Sequence, residues 1–155
     1  MASIKRIVVA FDFSKLSRLA LDYAIDFARD VGARLHVVYV VEPIEFSGID
    51  VFGGAPLATQ SIVEEHLRQA KQEMEGLRSK RLAGLASAKA TVELGRPADV
   101  ICDLGGAGRA NLIVIGTHGR SGLAHLVMGS VAERVVRHAL CPVLVVPTGE
   151  SRKKK

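Results

Sequence analysis

Five short runs rich in valine, isoleucine and leucine recur along the chain, and most of them place apolar residues at consecutive positions. Runs of this kind are typical of strands that are buried on both faces, as in a parallel sheet. Most of the stretches between them place apolar residues at helical spacing. We therefore predict strands at 4–10, 34–41, 89–94, 112–115 and 143–146, with helices between them.

Capping residues and glycines mark the predicted helix boundaries. Ser14 is the expected N-cap of the first helix, which ends at Gly32. The second helix is expected to begin at the Ser61–Glu64 capping box, after a loop at 42–58 that contains several glycines and prolines. Two shorter helices are predicted, at 98–104 and from Ser130 onward.

Strand and helix alternate from the first predicted element to the last. This alternation predicts an α/β domain with a five-stranded parallel open sheet, helices on both faces and right-handed crossovers. In such folds, ligands bind beyond the carboxyl ends of the strands, where the strand order reverses. Residues that directly follow a strand are therefore the first candidates for a binding site.

A glycine pattern follows the fourth predicted strand: Gly116 and Gly119, then nine residues, then Gly129 and Ser130. Glycine lets the backbone approach a ligand without a Cβ in the way. Amide groups at a helix start, together with the helix dipole, favour an anion such as phosphate. Ser130 is expected at the N-cap, where serine is favoured. The same pattern is also compatible with a glycine turn, a surface loop and an ordinary serine-capped helix.

Three further residues lie where such a ligand would bind. Asp12 follows the first strand, and its carboxylate suits ribose hydroxyls or Mg²⁺, or else serves as a turn residue before a helix. His118 and Arg120 lie between the glycines, where they either meet terminal phosphates or form a solvated pair on a loop. The other histidines show no ligand spacing. No metal site is therefore expected beyond a Mg²⁺ ion bound with the phosphates, for which Asp12 is the candidate.

The segments Ile115–Leu123 and Gly129–Ala139 carry the pattern Gly-x2-Gly-x9-Gly-Ser. They resemble the universal stress protein family, and specifically its ATP-binding branch. The resemblance extends over 4–146. It implies a Rossmann-like, adenine-nucleotide-binding domain with sheet order 3-2-1-4-5 and a site between the ends of strands 1 and 4. The chain departs from the family at Ala10, where many members have proline, and at Asn111, where aspartate is usual.

The resemblance also implies a set of nucleotide contacts. Asp12, Ile115 and Gly116 would lie near the ribose, and the Val40 backbone at the adenine edge. Gly119 would approach the phosphates, and Gly129, Ser130 and Val131 would surround them. The implied ligand is ATP, with Mg²⁺ bound to the nucleotide. With His118 and Arg120 added from their position between the glycines, the candidate site residues are Ala10, Asp12, Val40, Ile115, Gly116, His118, Gly119, Arg120, Gly129, Ser130 and Val131.

The last predicted strand, Val143–Val146, is apolar on both faces and is expected at a sheet edge, where exposed strands pair with other chains. In the family this strand forms an antiparallel two-fold contact, so the resemblance implies a homodimer. We expect a stress-response regulator whose nucleotide state is read by an unidentified protein partner. The alternatives are a slow ATP-hydrolysing enzyme with His118 as base, a flavodoxin-like electron carrier, and a nucleotide-free structural member.

The charge balance argues against specific nucleic-acid recognition. The net charge is +5, but Arg152–Lys155 contributes four of these charges and leaves the rest of the chain nearly neutral. Aromatic residues make up only 5% of the chain, which also argues against base stacking. We expect one domain at 1–148, followed by a basic, disordered tail at 149–155.

The sequence also bears on the compartment of the protein. No apolar run approaches the roughly 20 residues of a membrane span, and no signal-peptide pattern is present, so we predict a cytoplasmic protein without membrane contact. In that compartment, Cys102 and Cys141 are expected as small buried apolar residues rather than as a disulfide.

Overall fold

The computed structural model of the chain describes residues 3–43, 55–85, 87–106, 108–118 and 128–147. The predicted tail, most of the predicted loop at 42–58, and Gly119 and Arg120 lie outside the described residues. Within the described ranges, strands and helices alternate in the order β1 Arg6–Ala10, α1 Lys15–Val31, β2 Arg34–Val41, α2 Ala55–Leu77, β3 Ala88–Leu94, α3 Pro97–Gly105, β4 Leu112–Gly116, α4 Ser130–His138 and β5 Val143–Val146.

The strands form one parallel sheet in the order β3-β2-β1-β4-β5, as expected. Strand β1 lies at its centre, where Val9 pairs with Val37 of β2 and with Val114 of β4. All three valines are 0% exposed, because helices cover both faces of the sheet. The strand order reverses at β1, so the carboxyl ends of β1 and β4 lie side by side.

Alternate residues of each strand contribute to two separate cores. On one face, Ile7 and Val9 pack in the cluster that includes α1 and α2. On the other face, Val8 and Ala10 pack in the cluster that includes α3 and α4. The helix that follows β1 and the helix that follows β4 therefore leave the sheet toward opposite faces, which opens a crevice beyond the carboxyl ends of these strands.

Helix α1 begins and ends where its sequence predicts. The Ser14 hydroxyl accepts a hydrogen bond from the Ser17 backbone N–H at 3.1 Å, which satisfies one of the unpaired donors of the first turn. Gly32 ends the helix in the left-handed conformation at φ 67°, which glycine adopts at little cost. These caps fix the exit of the chain from β1 and its entry into β2.

Helix α2 begins earlier than predicted. It starts at Ala55, so residues 55–58 are helical rather than part of a loop, and Ser61–Glu64 lies inside the helix rather than at its start. Pro56 is compatible with this start because the first turn of a helix has no intrahelical acceptor for its N–H groups. At its other end, α2 continues directly into a π-helical segment, Arg78–Leu82. No helix among the described residues is long and apolar enough to cross a membrane.

Asn111 joins the amino ends of two strands, far from the crevice. Its Oδ1 accepts hydrogen bonds from the backbone N–H groups of Lys5 and Arg6, at 3.0 and 3.1 Å, and its own N–H donates to the Arg6 carbonyl. The side-chain oxygen of asparagine therefore does here what an aspartate oxygen would do. This family departure leaves the crevice unchanged.

His36 links the two strands farthest from β5. Its Nε2 lies 2.8 Å from the Thr91 hydroxyl oxygen across β2 and β3, and its neighbour in the register is Lys89. Burial, with a smaller contribution from the charge of Lys89, lowers the pKa of His36 from 6.5 to about 4. The imidazole therefore remains neutral in the folded protein at pH values where it protonates in the unfolded chain.

This pKa difference predicts a loss of stability on acidification. Between pH 6.5 and 4 the unfolded chain takes up a proton at His36 that the folded protein does not, so the free energy of unfolding falls as the pH falls. In H36Q, which retains a polar side chain for Thr91, this part of the decrease should be missing. We expect wild type to lose about 1 kcal/mol more than H36Q between pH 7 and 5 in urea unfolding, allowing for the partial exposure of the ring. Parallel pH profiles would contradict the assignment.

Candidate functional site

A cavity of about 400 Å³ lies beyond the carboxyl ends of β1, β2 and β4, within the size range of small-molecule sites. Its wall is apolar toward the sheet and polar toward the helix starts. Of the residues that the sequence implied, those lining it are Ala10, Asp12, Val40, Ile115, Gly116, His118, Gly129, Ser130 and Val131. Its other described lining residues are Phe11, Ser17, Val38, Tyr39, Glu42, His66, Pro97, Ile101 and Ala132.

The start of α4 is tied to the end of β4. The Gly129 N–H donates to the Thr117 carbonyl at 2.8 Å, and the Gly129 carbonyl accepts from the Glu133 N–H at 2.9 Å. Gly129 is therefore the N-cap and Ser130 the first helical residue, so the prediction that Ser130 caps the helix is wrong. The extended backbone of Gly129, at φ −59° and ψ 147°, places its carbonyl rather than that of Ser130 at the start of the helical ladder.

This arrangement also changes which amides are available to a ligand. The Gly129 N–H, expected to hold phosphate, is already bonded to Thr117. The N–H groups of Ser130, Val131 and Ala132 belong to the first turn of α4 and have no intrahelical acceptor. All three residues line the cavity, so the positive end of the helix dipole faces its interior.

Gly116 has a packing role as well as a place in the cavity wall. A Cβ at this position would lie 3.3 Å from the backbone carbon and oxygen of Leu16 and from its Cβ. The first motif glycine therefore allows the end of β4 to pack closely against the first turn of α1. A ligand is not needed to explain this glycine.

Asp12 organises the turn from β1 into α1. Its Oδ1 accepts a hydrogen bond from the Ser14 N–H at 3.0 Å, and between them Phe13 adopts a left-handed backbone at φ 64°. Such a conformation is strained for a bulky residue and is held by its surroundings. Oδ2 of Asp12 has no donor among the described residues. The turn role and the ligand role are therefore compatible within one carboxylate.

An aromatic cluster supports this turn. The Phe13 ring lies edge-to-face against Phe11 and against Tyr39, with ring centroids 5.0 Å apart in each pair. Phe11 and Tyr39 also line the cavity, although the sequence analysis assigned them no part in the site. In the sequence, Phe11 and Tyr39 are next to the predicted site residues Asp12 and Val40, and this was the only indication of their place. Adjacency in sequence does not show which neighbours of a site residue also line the site.

The sequence did not predict two further residues of the cavity, because they lie away from β1, β4 and α4, which carry most of the predicted site. Glu42 follows β2 and continues the alternation of Val38 and Val40, so its position was available from the strand pattern. His66 lies on α2, and only the packing of that helix brings it to the cavity. Both side chains are exposed at the rim.

Two residues that follow β4 carry buried polar atoms that lack a hydrogen-bond partner among the described residues. Both ring nitrogens of His118 and the hydroxyl oxygen of Thr117 are buried without a hydrogen-bond partner among the described residues. Buried polar groups are usually bonded, so each such atom calls for an explanation. His118 lines the cavity, where the oxygen atoms of a bound phosphate or a water would satisfy it.

The two thiols take no part in the site. Cys102 and Cys141 are free thiols that pack beside the core formed by α3 and α4, but they are partly buried rather than buried as predicted. Burial raises the pKa of both thiols, which disfavours the reactive thiolate. In the described part of the chain, no group of three or more histidine, cysteine, aspartate or glutamate residues is placed to hold a metal ion.

These features define a doubly wound parallel α/β protein with a small-molecule cavity at its topological switch point. The model of the universal stress protein family matches residues 3–147, and the chain belongs to that family.

Related proteins show the same family and fold. The chain is 36% identical over 144 residues to a universal stress protein of Methanocaldococcus jannaschii, covering 92% of this chain and 81% of that protein. It is similar in structure to a universal stress protein from Lactobacillus plantarum, with TM-score 0.79, 26% identity, and coverage of 94% of this chain and 99% of the other. It is also similar to a universal stress protein in complex with cAMP, with TM-score 0.60, 27% identity, and coverage of 94% and 98%.

The double role of Asp12 predicts different outcomes for two substitutions. D12N keeps an oxygen that accepts from the Ser14 N–H, whereas D12A removes it and leaves the strained Phe13 turn unsupported. We expect D12A to lower the free energy of unfolding by about 1–2 kcal/mol, and D12N by less than about 0.5 kcal/mol, in urea unfolding at pH 7. Equal losses in both variants would show that the charge, rather than the hydrogen bond, stabilises the turn.

Proposed function

We propose that this protein binds ATP together with Mg²⁺ in the cavity and acts in the cytoplasm as a dimeric, nucleotide-dependent regulator of a stress response. The observation that carries the proposal is the polarity of the cavity. At the ends of β1 and β2 the wall includes the apolar side chains of Ala10, Val38 and Val40, and the opposite end is formed by amides at the start of α4 that have no acceptor among the described residues. A nucleotide has the same polarity, with an apolar base at one end and an anionic tail at the other.

The position of each wall suggests how the nucleotide lies. The phosphates belong at the N–H groups of Ser130 and Val131, because a helix start favours anions. The base belongs beside Val40, which is two strands away from β4 in the sheet, about 10 Å. The ribose then lies between them, near Asp12. The cAMP complex of a related universal stress protein supports an adenine nucleotide as the ligand class.

The residues present are compatible with Mg²⁺ as a companion of the phosphates. Asp12 has one carboxylate oxygen without a donor among the described residues, and Mg²⁺ is usually held by one or two carboxylates together with phosphate oxygens. The ion would supply charge neutralisation to the phosphates. Asp12 would then orient the nucleotide while continuing to hold the Ser14 N–H.

Binding explains the site better than catalytic turnover does. Hydrolysis needs a residue that positions and deprotonates water near the terminal phosphate. Among the described lining residues, the carboxylates are Asp12, which holds a backbone amide, and Glu42, which lies at the β2 end. His118 is the remaining candidate base. We therefore favour a regulator whose bound nucleotide alters the surface that a protein partner reads.

The free edge of β5 supports the dimer. Ile113 donates to the Pro142 carbonyl and Thr117 to the Val146 carbonyl, so the pattern of a parallel ladder directs the backbone groups of Val143 and Val145 away from β4. No described strand pairs with this edge. Leu140, three residues before β5 in the chain, is an apolar side chain that is 83% exposed, and we expect it to be covered by the contact.

The ATP proposal predicts a selective effect of a methyl group at the start of α4. The backbone of Gly129 suits any residue, so G129A should fold, and we expect a methyl group on this cavity-lining residue to crowd phosphates at the start of α4. We expect calorimetry with Mg²⁺-ATP to show affinity about tenfold weaker than wild type. G76A is the matched control, because a Cβ there meets nothing within 4 Å. It should bind like wild type. Absence of binding by wild type at millimolar ATP would refute the proposal.

The dimer proposal predicts the effect of a charge beside β5. Light scattering of wild type at micromolar concentration should give twice the chain mass. L140D should shift the equilibrium toward monomer, because a carboxylate would be buried without a partner at the interface. L94D is the matched control, since Leu94 is also exposed but ends β3 at the opposite edge of the sheet. A monomeric wild type, or equal effects of both substitutions, would contradict the assignment of the interface to β5.

A further inference from the structure

Glu42 occupies a distinct position at the cavity rim. It directly follows β2 and continues the face on which Val38 and Val40 lie, so the strand alternation directs its side chain toward the cavity. The side chain is exposed, and no lysine or arginine of the described chain forms an ion pair with it. Its carboxylate is therefore available to a ligand.

The charge of Glu42 contrasts with the opposite end of the cavity. The amides at the start of α4 carry partial positive charge, whereas the β2 end carries this carboxylate. Phosphates placed beside Glu42 would be repelled, so the β2 end suits the base of a nucleotide. His66 also lines the cavity, but an imidazole ring can carry both a donor and an acceptor nitrogen, so it is a weaker basis for selection between bases.

We propose that Glu42 selects nucleotides whose base presents an amino group at this rim, and so distinguishes adenine from hypoxanthine. The inference rests on the proposed nucleotide site. An ionised carboxylate only accepts hydrogen bonds, and the exocyclic amine of adenine donates them. Hypoxanthine carries a carbonyl at the same place, so two oxygen acceptors would face each other without a proton between them. Discrimination then comes from repulsion of the wrong base as well as attraction of the right one.

The test compares ATP with ITP, which carries a carbonyl in place of the amino group and a proton on the adjacent N1. Calorimetric titrations with each nucleotide, with Mg²⁺ and with EDTA, give the ratio of the two affinities. We expect wild type to prefer ATP, and E42Q to reduce that preference by about fivefold, because an amide donates to a carbonyl as well as accepting from an amine. The exposure of Glu42 means that E42Q should fold, which circular dichroism verifies. E42A should also reduce the preference, because it removes the repelling oxygen.

The matched control is E93Q. Glu93 pairs with Val40 in the register of β2 and β3, so E93Q removes a neighbouring charge that does not line the cavity. Its preference for ATP should equal that of wild type. An unchanged preference in E42Q would overturn the inference while leaving ATP binding intact. The inference would also be overturned if E42Q lost affinity only in the presence of Mg²⁺ and equally for both nucleotides, because Glu42 would then be a metal ligand. Failure of wild type to bind either nucleotide would instead overturn the proposed function itself.

Discussion

The reversal of strand order at β1 is the constraint on which the rest of this structure depends. Because β1 pairs with β2 on one side and with β4 on the other, the helices that follow β1 and β4 must leave toward opposite faces. The carboxyl ends of the two strands are then left without a helix between them, and the cavity forms there. The bond from the Gly129 amide to the Thr117 carbonyl holds the start of α4 over this opening.

The glycines of the motif have roles within the protein itself, apart from any contact with a ligand. Gly116 is needed for close contact with the backbone of Leu16, and the Gly129 amide is engaged with the protein itself. The groups left for an anion are the amides of Ser130, Val131 and Ala132, of which the motif itself contributes the one of Ser130. A family member with intact glycines therefore has the right scaffold for a phosphate site. Its affinity depends on what else lines the cavity.

The other groups that line the cavity are brought together by the tertiary contacts of this chain. Asp12 occupies the middle, where it stabilises a strained turn and retains an oxygen for a ligand. Glu42 gives the β2 end a negative charge, and the first turn of α4 gives the other end a positive potential. This gradient is a physical basis for orientation of a nucleotide. It also separates the part of the site that would recognise the base from the part that would hold the phosphates.

The sequence by itself determined the strands, the parallel α/β class and the glycine pattern and Asp12 at the ends of strands, because consecutive β-branched residues and capping residues act over a few neighbouring positions. The sheet order and the full set of site residues came with the family resemblance. Tertiary structure alone decided that α2 begins at Ala55 and that Gly129, not Ser130, caps α4. It also brought His66 and Tyr39 to the cavity. These features depend on contacts between residues that are far apart in the chain. The local periodicity of apolar residues does not reveal how such contacts shift a helix start or complete a cavity wall.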